Sequence, residues 1–562
     1  MPKKTHAIDK NGESRELVVL VHGYKSNARK LASIEREIKI KLKDADILKP
    51  RYNLDRFKNT SPFEIAGDIE ELIRSADKKK ADDGTPYRKI ILIGYSSGAL
   101  LVRKAYVWGW GSTEDRPAYE RKTPNHDWVR RVDRIILIAG MNRGWSLEIK
   151  PKHMNWFRFL LSRLLLLLMR LFPVEKFLKE IERGSPFVAD LRIQWVNLAR
   201  EYSDQLAPVI QLLGTEDEFV AKDDNKDLET HKNFIIIPIQ GANHSTLLRL
   251  SDPQIGEQNR EKFNEALLHS IAALKRRYDC VQLNPRMAHI VFIMHGIRDF
   301  GGWTAAIRQI LDSKAQELKL DKPIVVTARY GYFPIIGFLL LKSRQVHVRW
   351  FIDKYTEYIA EYPDSKTKVS FIGHSNGTYL AASALERCKS LRFHNVSFAG
   401  SVVPSGYPWD QIIDREERTE KLRNDLASAD WVVAIFPKFF DKKRWNDIGS
   451  GGFDGFIDNA ANKYEQEKRF FKGRHDAAIR KSNHESLAKF ILQGKVDIDP
   501  SLLTETPHGI LVWGSRLCAL VWLVILVVLF MIGYWLQQQF PVHPIISWGL
   551  YLLFLRYLLT VV

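Results

Sequence analysis

Short, continuous apolar runs of strand length recur along the first 500 residues. They include ELVVLV (16–21), KIILIG (89–94), RIILIAG (134–140) and VIQLLG (209–214). Others are HIVFIM (289–294), KVSFIG (368–373) and NVSFAGSVV (395–403). A run that is apolar on both faces suits a strand buried inside a parallel sheet, not one with a wet face. Helix-compatible stretches lie between the runs, such as ALLVRKAYV (99–107) and TYLAASALE (378–386). Strands alternating with helices predict α/β units around mostly parallel sheets.

The pattern changes after residue 508. From Leu517 to Leu536 the chain has twenty residues without a charge. About 20 helical residues cross a hydrocarbon core of roughly 30 Å, so this segment is expected to span a membrane. A second apolar stretch, 545–562, contains Arg556. An arginine at mid-bilayer costs about 3 kcal/mol, less near an end, so a second span is expected. QQQFPVHP (537–544) would be the turn of a transmembrane helical hairpin over 509–562. The N-terminal MPKKTHAIDKNGESRE has no apolar core and does not read as a signal peptide. Two spans then return the C-terminus to the side of the preceding domains, which is expected to be the cytoplasm.

The strand-like runs pair up. ELVVLVHGY (16–24) matches HIVFIMHGI (289–297). KIILIGYSSG (89–98) matches KVSFIGHSNG (368–377). VIQLLGTEDEFVA (209–221) matches LRNDLASADWVVA (422–434), and both keep Asp-x-x-Val-Ala. GANHSTLL around His244 matches KSNHESLA around His484. With the strands at 134–140 and 395–403, five landmarks recur in one order. The expected organisation is a first domain over 1–275, a second over 286–500 and the hairpin.

Each copy carries Gly-x-Ser-x-Gly at the end of a strand and the start of a helix. The serine then sits on a sharp turn with its hydroxyl held above the sheet. A free hydroxyl is a weak nucleophile at neutral pH and needs a base. Histidine titrates near neutrality and can take the proton, and a carboxylate orients the imidazole. The order serine, acid, histidine occurs twice: Ser96, Asp217, His244, and Ser375, Asp430, His484. The second acid has rivals in Asp441, Asp447 and Asp454. Asp430 is preferred because it follows a strand-like segment. Backbone N–H groups of Ser97 and Asn376, with Tyr24 and Ile297 in the His-Gly loops, are the expected oxyanion donors. His22 and His295 in those loops are expected to be structural.

Both halves resemble the α/β-hydrolase family over most of residues 16–495. The His-Gly loop, the Gly-x-Ser-x-Gly turn, the acid after a later strand and the late histidine carry the resemblance. It implies two tandem α/β-hydrolase domains that cleave ester, thioester or amide bonds with no metal and no cofactor. The second copy departs more, because its acid turn lacks the leading glycine. A retained fold without activity is the competing reading there.

Serine and acid lie 121 residues apart in the first copy (96 to 217) and 55 in the second (375 to 430). The surplus predicts a cap inserted near 141–208. Its segment HMNWFRFLLSRLLLLLMRLFPVEKFL (153–178) puts Arg163 and Arg170, seven positions apart, on one helical face amid leucines. Such a helix suits a membrane interface that delivers a lipid-like substrate, or a cap packed on the protein. The apolar loop GYFPIIGFLLLK (331–342) and an insertion over 435–475 belong to the second copy.

Charge and composition narrow the partners. The net charge is +18; the tail from 509 holds only Arg516 and Arg556, so +16 falls on residues 1–508. A basic body on an apolar anchor suits an anionic lipid surface. There is no nucleic-acid motif, and Lys78-Lys79-Lys80 runs straight into Asp82 and Asp83. Three cysteines, Cys280, Cys388 and Cys518, exclude a disulfide-stapled fold. The function expected is a membrane-anchored serine hydrolase of lipid or other acyl esters. The alternatives are a peptidase, thioesterase or acyltransferase with the same triad, or a membrane-bound scaffold with one or both sites inactive. The oligomeric state is not legible.

Overall fold

The computed structural model describes residues 7–9, 15–24, 28–52, 60–112, 124–146, 156, 176–278, 286–296, 302–327, 338, 341–443, 447–457, 464–466, 470–539 and 543–561. They form two compact units. The first holds residues 1–286 with 352–365 and 388–390. The second holds 287–351, 366–387 and 391–562, so the C-terminal tail belongs to it.

In the first unit the strands are β1 (Ala7–Asp9), β2 (Glu16–Val21), β3 (Asp46–Lys49), β4 (Lys89–Tyr95), β5 (Val132–Ile138), β6 (Val209–Gly214) and β7 (Phe234–Ile239). They make one sheet in the order β1-β3-β2-β4-β5-β6-β7. β1 is antiparallel and the rest are parallel. The continuous apolar runs arise because successive side chains enter opposite cores. Leu17, Val19 and Val21 face one way, with Leu92 and Leu137. They meet α2 (Pro62–Asp82), α3 (Gly98–Gly109) and α5 (Pro186–Tyr202). Val18, Leu20, Ile91 and Ile136 face the other way. They meet α1 (Ala32–Lys41), α6 (Gly256–Leu268) and α7 (Ile271–Arg277).

This corrects part of the expected cap. Within 141–208, α5 is a core helix: Phe187, Leu191, Trp195 and Leu198 are buried with α3 against the sheet. It is the crossover that a parallel β5–β6 pair requires. The short α4 (Lys176–Glu180) precedes it. The leucine-rich stretch 157–175 lies outside the described residues.

The second unit has β8 (His289–Met294), β9 (Ile324–Thr327), β10 (Lys368–His374), β11 (Phe393–Ala399), β12 (Thr419–Asp425) and β13 (Tyr464–Gln466). All are parallel, in the order β13-β12-β11-β10-β8-β9. Strand for strand this is the order β7-β6-β5-β4-β2-β3 of the first sheet. On one face Val291 and Ile293 pack on α8 (Gly302–Glu317) and on α12 (His484–Gln493). On the other, Phe292 and Phe371 meet Phe351 of α9 (Leu341–Glu361) at 5.4 Å each. β14 (Phe470–Phe471) and β15 (Leu503–Thr504) form a small antiparallel pair. Most of the apolar loop 331–342 lies outside the described residues. Two parallel-sheet α/β domains of this topology fit the α/β-hydrolase fold.

Three helices end the second unit: α13 (Gly509–Arg516), α14 (Cys518–Gln539) and α15 (Pro544–Val561). Among the described residues α14 is the one helix long and apolar enough to cross a membrane. Leu520, Leu523, Leu526 and Phe530 on it are about half exposed. α15 packs against α14: the Trp548 indole donates to Gln537 Oε1 at 2.8 Å, the Tyr551 hydroxyl to the Leu529 carbonyl at 2.7 Å. α14 is also gripped from the domain side. α11 (Trp431–Lys443), which opens the 435–475 insertion, sets Phe436, Phe439 and Phe440 around Trp522, at ring separations of 5.1, 5.9 and 6.2 Å.

Candidate active site

The first Gly-x-Ser-x-Gly turn joins β4 to α3. Ser96 has φ +54°, a left-handed backbone that a non-glycine residue adopts only under constraint. The constraint is the fold: its N–H donates to the Ile138 carbonyl at 2.9 Å, at the end of β5. Gly23 of the His-Gly loop gives the serine room, since a Cβ there would lie 2.8 Å from Ser96 Cβ.

Three predicted residues converge here. Ser96 Oγ donates to His244 Nε2 at 2.9 Å. His244 Nδ1 donates to Asp217, 3.0 Å from Oδ2 and 3.2 Å from Oδ1. Asp217 is fully buried, and its Oδ1 also accepts the N–H groups of Phe219 at 2.9 Å and Val220 at 3.0 Å. The three side chains are therefore joined in the order serine, histidine, aspartate.

Neighbours that the sequence did not single out complete it. The Tyr95 hydroxyl donates to the His244 carbonyl at 3.2 Å. Burial, then the Asp217 and Glu218 charges, push the Tyr95 phenol up to about 12, so it stays a donor. Phe219 sets its ring edge-on to His244 at 5.2 Å, and Ser96 Oγ also contacts Met141 Sδ at 3.4 Å. None of these stands out in one sequence: Tyr95 ends β4, and Met141 and Phe219 lie in loops.

The expected oxyanion donors fare unevenly. Ser97 caps α3, so its N–H has no intrahelical acceptor. The Tyr24 N–H is instead engaged by Ser97 Oγ at 2.8 Å and is not free. His22 is buried, with Nδ1 on the Gly23 carbonyl at 3.0 Å; burial lowers its pKa. That is a structural role, and His295 repeats it on the Gly296 carbonyl at 2.8 Å.

The second turn joins β10 to α10 (Asn376–Arg387) with the same backbone. Ser375 also has φ +54°, and its N–H donates to Ala399 at the end of β11 at 3.0 Å. A Cβ on Gly296 would lie 2.7 Å from Ser375 Cβ. Asn376 starts α10 with its N–H free of an intrahelical acceptor. Ile297 lies outside the described residues.

The histidine differs from expectation. His484 heads α12, buried, with Nε2 donating to the Ile479 carbonyl at 2.8 Å; it does not reach Asp430. Its neighbour Asn483 is tied to Arg423 and to the Ala478 carbonyl at 3.1 and 2.7 Å. The Asn-His pair therefore builds a helix start here. The partner of Asp430 is His475, whose Nδ1 lies 2.8 Å from Asp430 Oδ2. Asp430 is fully buried, and its Oδ1 accepts the Val433 N–H at 3.0 Å. The rival acids are engaged elsewhere. Asp447 is held by Arg344, Gln345 and Tyr379. Asp441 accepts from Ser405 and Ser450, and Asp454 from Lys438 and Ser450.

Residues 11–109 match the family model described as "Putative serine esterase (DUF676)". No curated protein matches. Among solved structures, similar ones include a monoacylglycerol lipase of Paleococcus ferrophilus, at 17% identity, 47% of this chain, 99% of that chain and TM-score 0.30. Another is a soluble variant of monoglyceride lipase from Saccharomyces cerevisiae, at 12%, 49%, 92% and 0.33. A phospholipase of Legionella pneumophila matches at 17%, 48%, 60% and 0.29. The family match spans the strand, His-Gly loop and serine turn of the first domain, and it supports an ester-hydrolysing enzyme.

Proposed function

We propose that the chain is a membrane-anchored serine hydrolase that cleaves lipid or other acyl esters. The observation that carries this reading is the continuous Asp217–His244–Ser96 relay. Ser96 Oγ attacks the ester carbonyl as its proton passes to His244 Nε2. Asp217 stabilises the imidazolium and fixes its tautomer. The Ser97 N–H lies at the helix start, where the oxyanion's charge is best stabilised. Collapse breaks the ester C–O bond, and the alcohol leaves with the proton from His244. Water, deprotonated by the same imidazole, releases the acid and restores Ser96.

Membrane attachment rests on α14, on which Leu520, Leu523 and Leu526 are about half exposed. α15, with Arg556 toward its far end, would return the chain as a hairpin. Arg516 next to α14 and the basic body favour the cytoplasmic side for both hydrolase domains. An ester substrate with a long acyl chain suits this placement.

The test is hydrolysis of acyl esters by the detergent-solubilised Ser375→Ala chain, and by the same chain in anionic vesicles carrying a lipid ester. Turnover that disappears with Ser96→Ala supports the reading. A folded chain that turns over thioesters or peptides instead favours the other triad chemistries. A folded chain with no turnover and no serine labelling is a scaffold.

A further inference from the structure

We infer that the second domain holds its own hydrolytic centre, built from Ser375, His475 and Asp430, with His475 as its base. The inference stands apart from the function proposed for Ser96. It rests on three contacts that the two domains share; the Ser96–His244 bond at 2.9 Å has no counterpart among the described residues of the second domain.

The acid contacts match. Each aspartate side chain is fully buried; Oδ1 accepts downstream backbone N–H groups, two at Asp217 and one at Asp430, and Oδ2 faces a histidine Nδ1. The serine contacts match as well: equal φ, equal anchoring to the end of the next strand. The third match identifies the histidine. In the first domain the residue before the nucleophile, Tyr95, donates to the carbonyl of His244 at 3.2 Å. In the second, the residue before the nucleophile is His374, and its Nε2 bonds the carbonyl of His475 at 3.2 Å. The ring pairs lie 5.6 and 4.8 Å apart. His484 makes no such contact with the residue before Ser375.

The free valence of His475 points the same way. Among the described residues its Nε2 is buried with no hydrogen-bond partner. A buried ring nitrogen without a partner is costly; His484 Nδ1 shares that feature, but its ring is turned to the Ile479 carbonyl and not to Asp430. As the acceptor for a serine proton His475 Nε2 has a use, and such bonds often tighten only with substrate bound. The strand end leaves space for the ring. Gly400 follows the carbonyl that holds Ser375, and a Cβ there would lie 2.7 Å from His475 Cε1. The Asn376 side chain beside the nucleophile is also buried, with both polar atoms unpartnered among the described residues. It is a second ready group for a polar substrate.

The substrate class is a carbonyl ester. Ser375 Oγ bonds the acyl carbon, its proton goes to His475 Nε2, and the ester C–O bond breaks as the alcohol takes that proton. Water then cleaves the acyl-serine, and the acid leaves.

The experiment uses the full-length, detergent-solubilised chain in a Ser96→Ala background, reacted with a fluorophosphonate and with p-nitrophenyl acetate. The fluorophosphonate adds through a new serine O–P bond with loss of fluoride. Peptide mapping should place the adduct on Ser375. His475→Gln should slow labelling by about 10²- to 10⁴-fold, the usual worth of a general base. His484→Gln should stay within about threefold. Added imidazole should rescue His475→Ala, which no structural role predicts. Thermal melts check the fold of each variant. A folded Ser96→Ala chain that reacts with neither reagent overturns the inference. So does loss of labelling in His484→Gln with retention in His475→Gln.

Discussion

The two serine turns are near copies in backbone, yet their histidines arrive by different routes. His244 follows β7 directly, whereas His475 lies beyond the small β14, within an insertion. The difference teaches that backbone geometry around a nucleophile can be held constant while the base is delivered from a new place. What stays fixed is the buried acid and the contact to the base's carbonyl.

The largest test of that likeness is symmetrical. Asp217→Asn in a Ser375→Ala chain should cost about 10⁴ in ester turnover, through the wrong imidazole tautomer. Asp430→Asn in a Ser96→Ala chain should cost serine labelling by a similar factor. An effect at the first aspartate alone would break the parallel.

Stability separates the halves next. Arg103 on α3 is fully buried against Asp227, and it also donates to Asn142 at 3.1 Å. Asp227→Ala strands a buried cation and should cost about 3–5 kcal/mol in urea unfolding. The second domain places its buried pair elsewhere, Arg423 with Asp425 at 2.9 Å, beside Ser486 and Asn483. Asp425→Ala should therefore loosen the start of α12, seen as faster amide exchange there.

The tyrosine-for-histidine exchange gives a pH signature. The raised pKa of Tyr95 contributes stability that is complete below about pH 10 and lost as pH rises to about 12. Tyr95→Phe should remove up to about 2–3 kcal/mol of that alkaline sensitivity. At the second site the His374 imidazole makes the corresponding contact to the His475 carbonyl. His374→Gln should slow the labelling of Ser375 by about tenfold or less through misplacement of His475, read from labelling rates.

The smallest test concerns one atom pair. Ala139 and Gly400 occupy equivalent positions, with φ +47° and +53°. Gly400→Ala should cut Ser375 labelling more than tenfold by displacing His475. Ala139→Gly should leave Ser96 within about twofold and stabilise the fold by up to about 1 kcal/mol through strain relief. Labelling rates and melts read both.

Much of this was legible because the strands are buried on both faces, so their apolar runs mark themselves. The His-Gly and Gly-x-Ser-x-Gly signatures survive because the serine presses on Gly23 and Gly296, leaving no room for a side chain. The late histidine was not legible in the second half. Asn483-His484 imitates Asn243-His244 in letters, but it opens a helix and binds Arg423 and Ile479. The core helix α5 reads as part of a cap in the sequence because the second copy, against which its length counts as surplus, has a shorter crossover.

The grip of α11 on Trp522 has a practical consequence. A chain cut at residue 508 would not be a soluble version of the same protein. It would bare Phe436, Phe439 and Phe440 on the helix that begins one residue after Asp430. Sticky aromatic surface and a loosened acid would appear together, so loss of activity in such a fragment would say nothing about a need for lipid. The informative separation keeps the anchor and changes the bilayer around it.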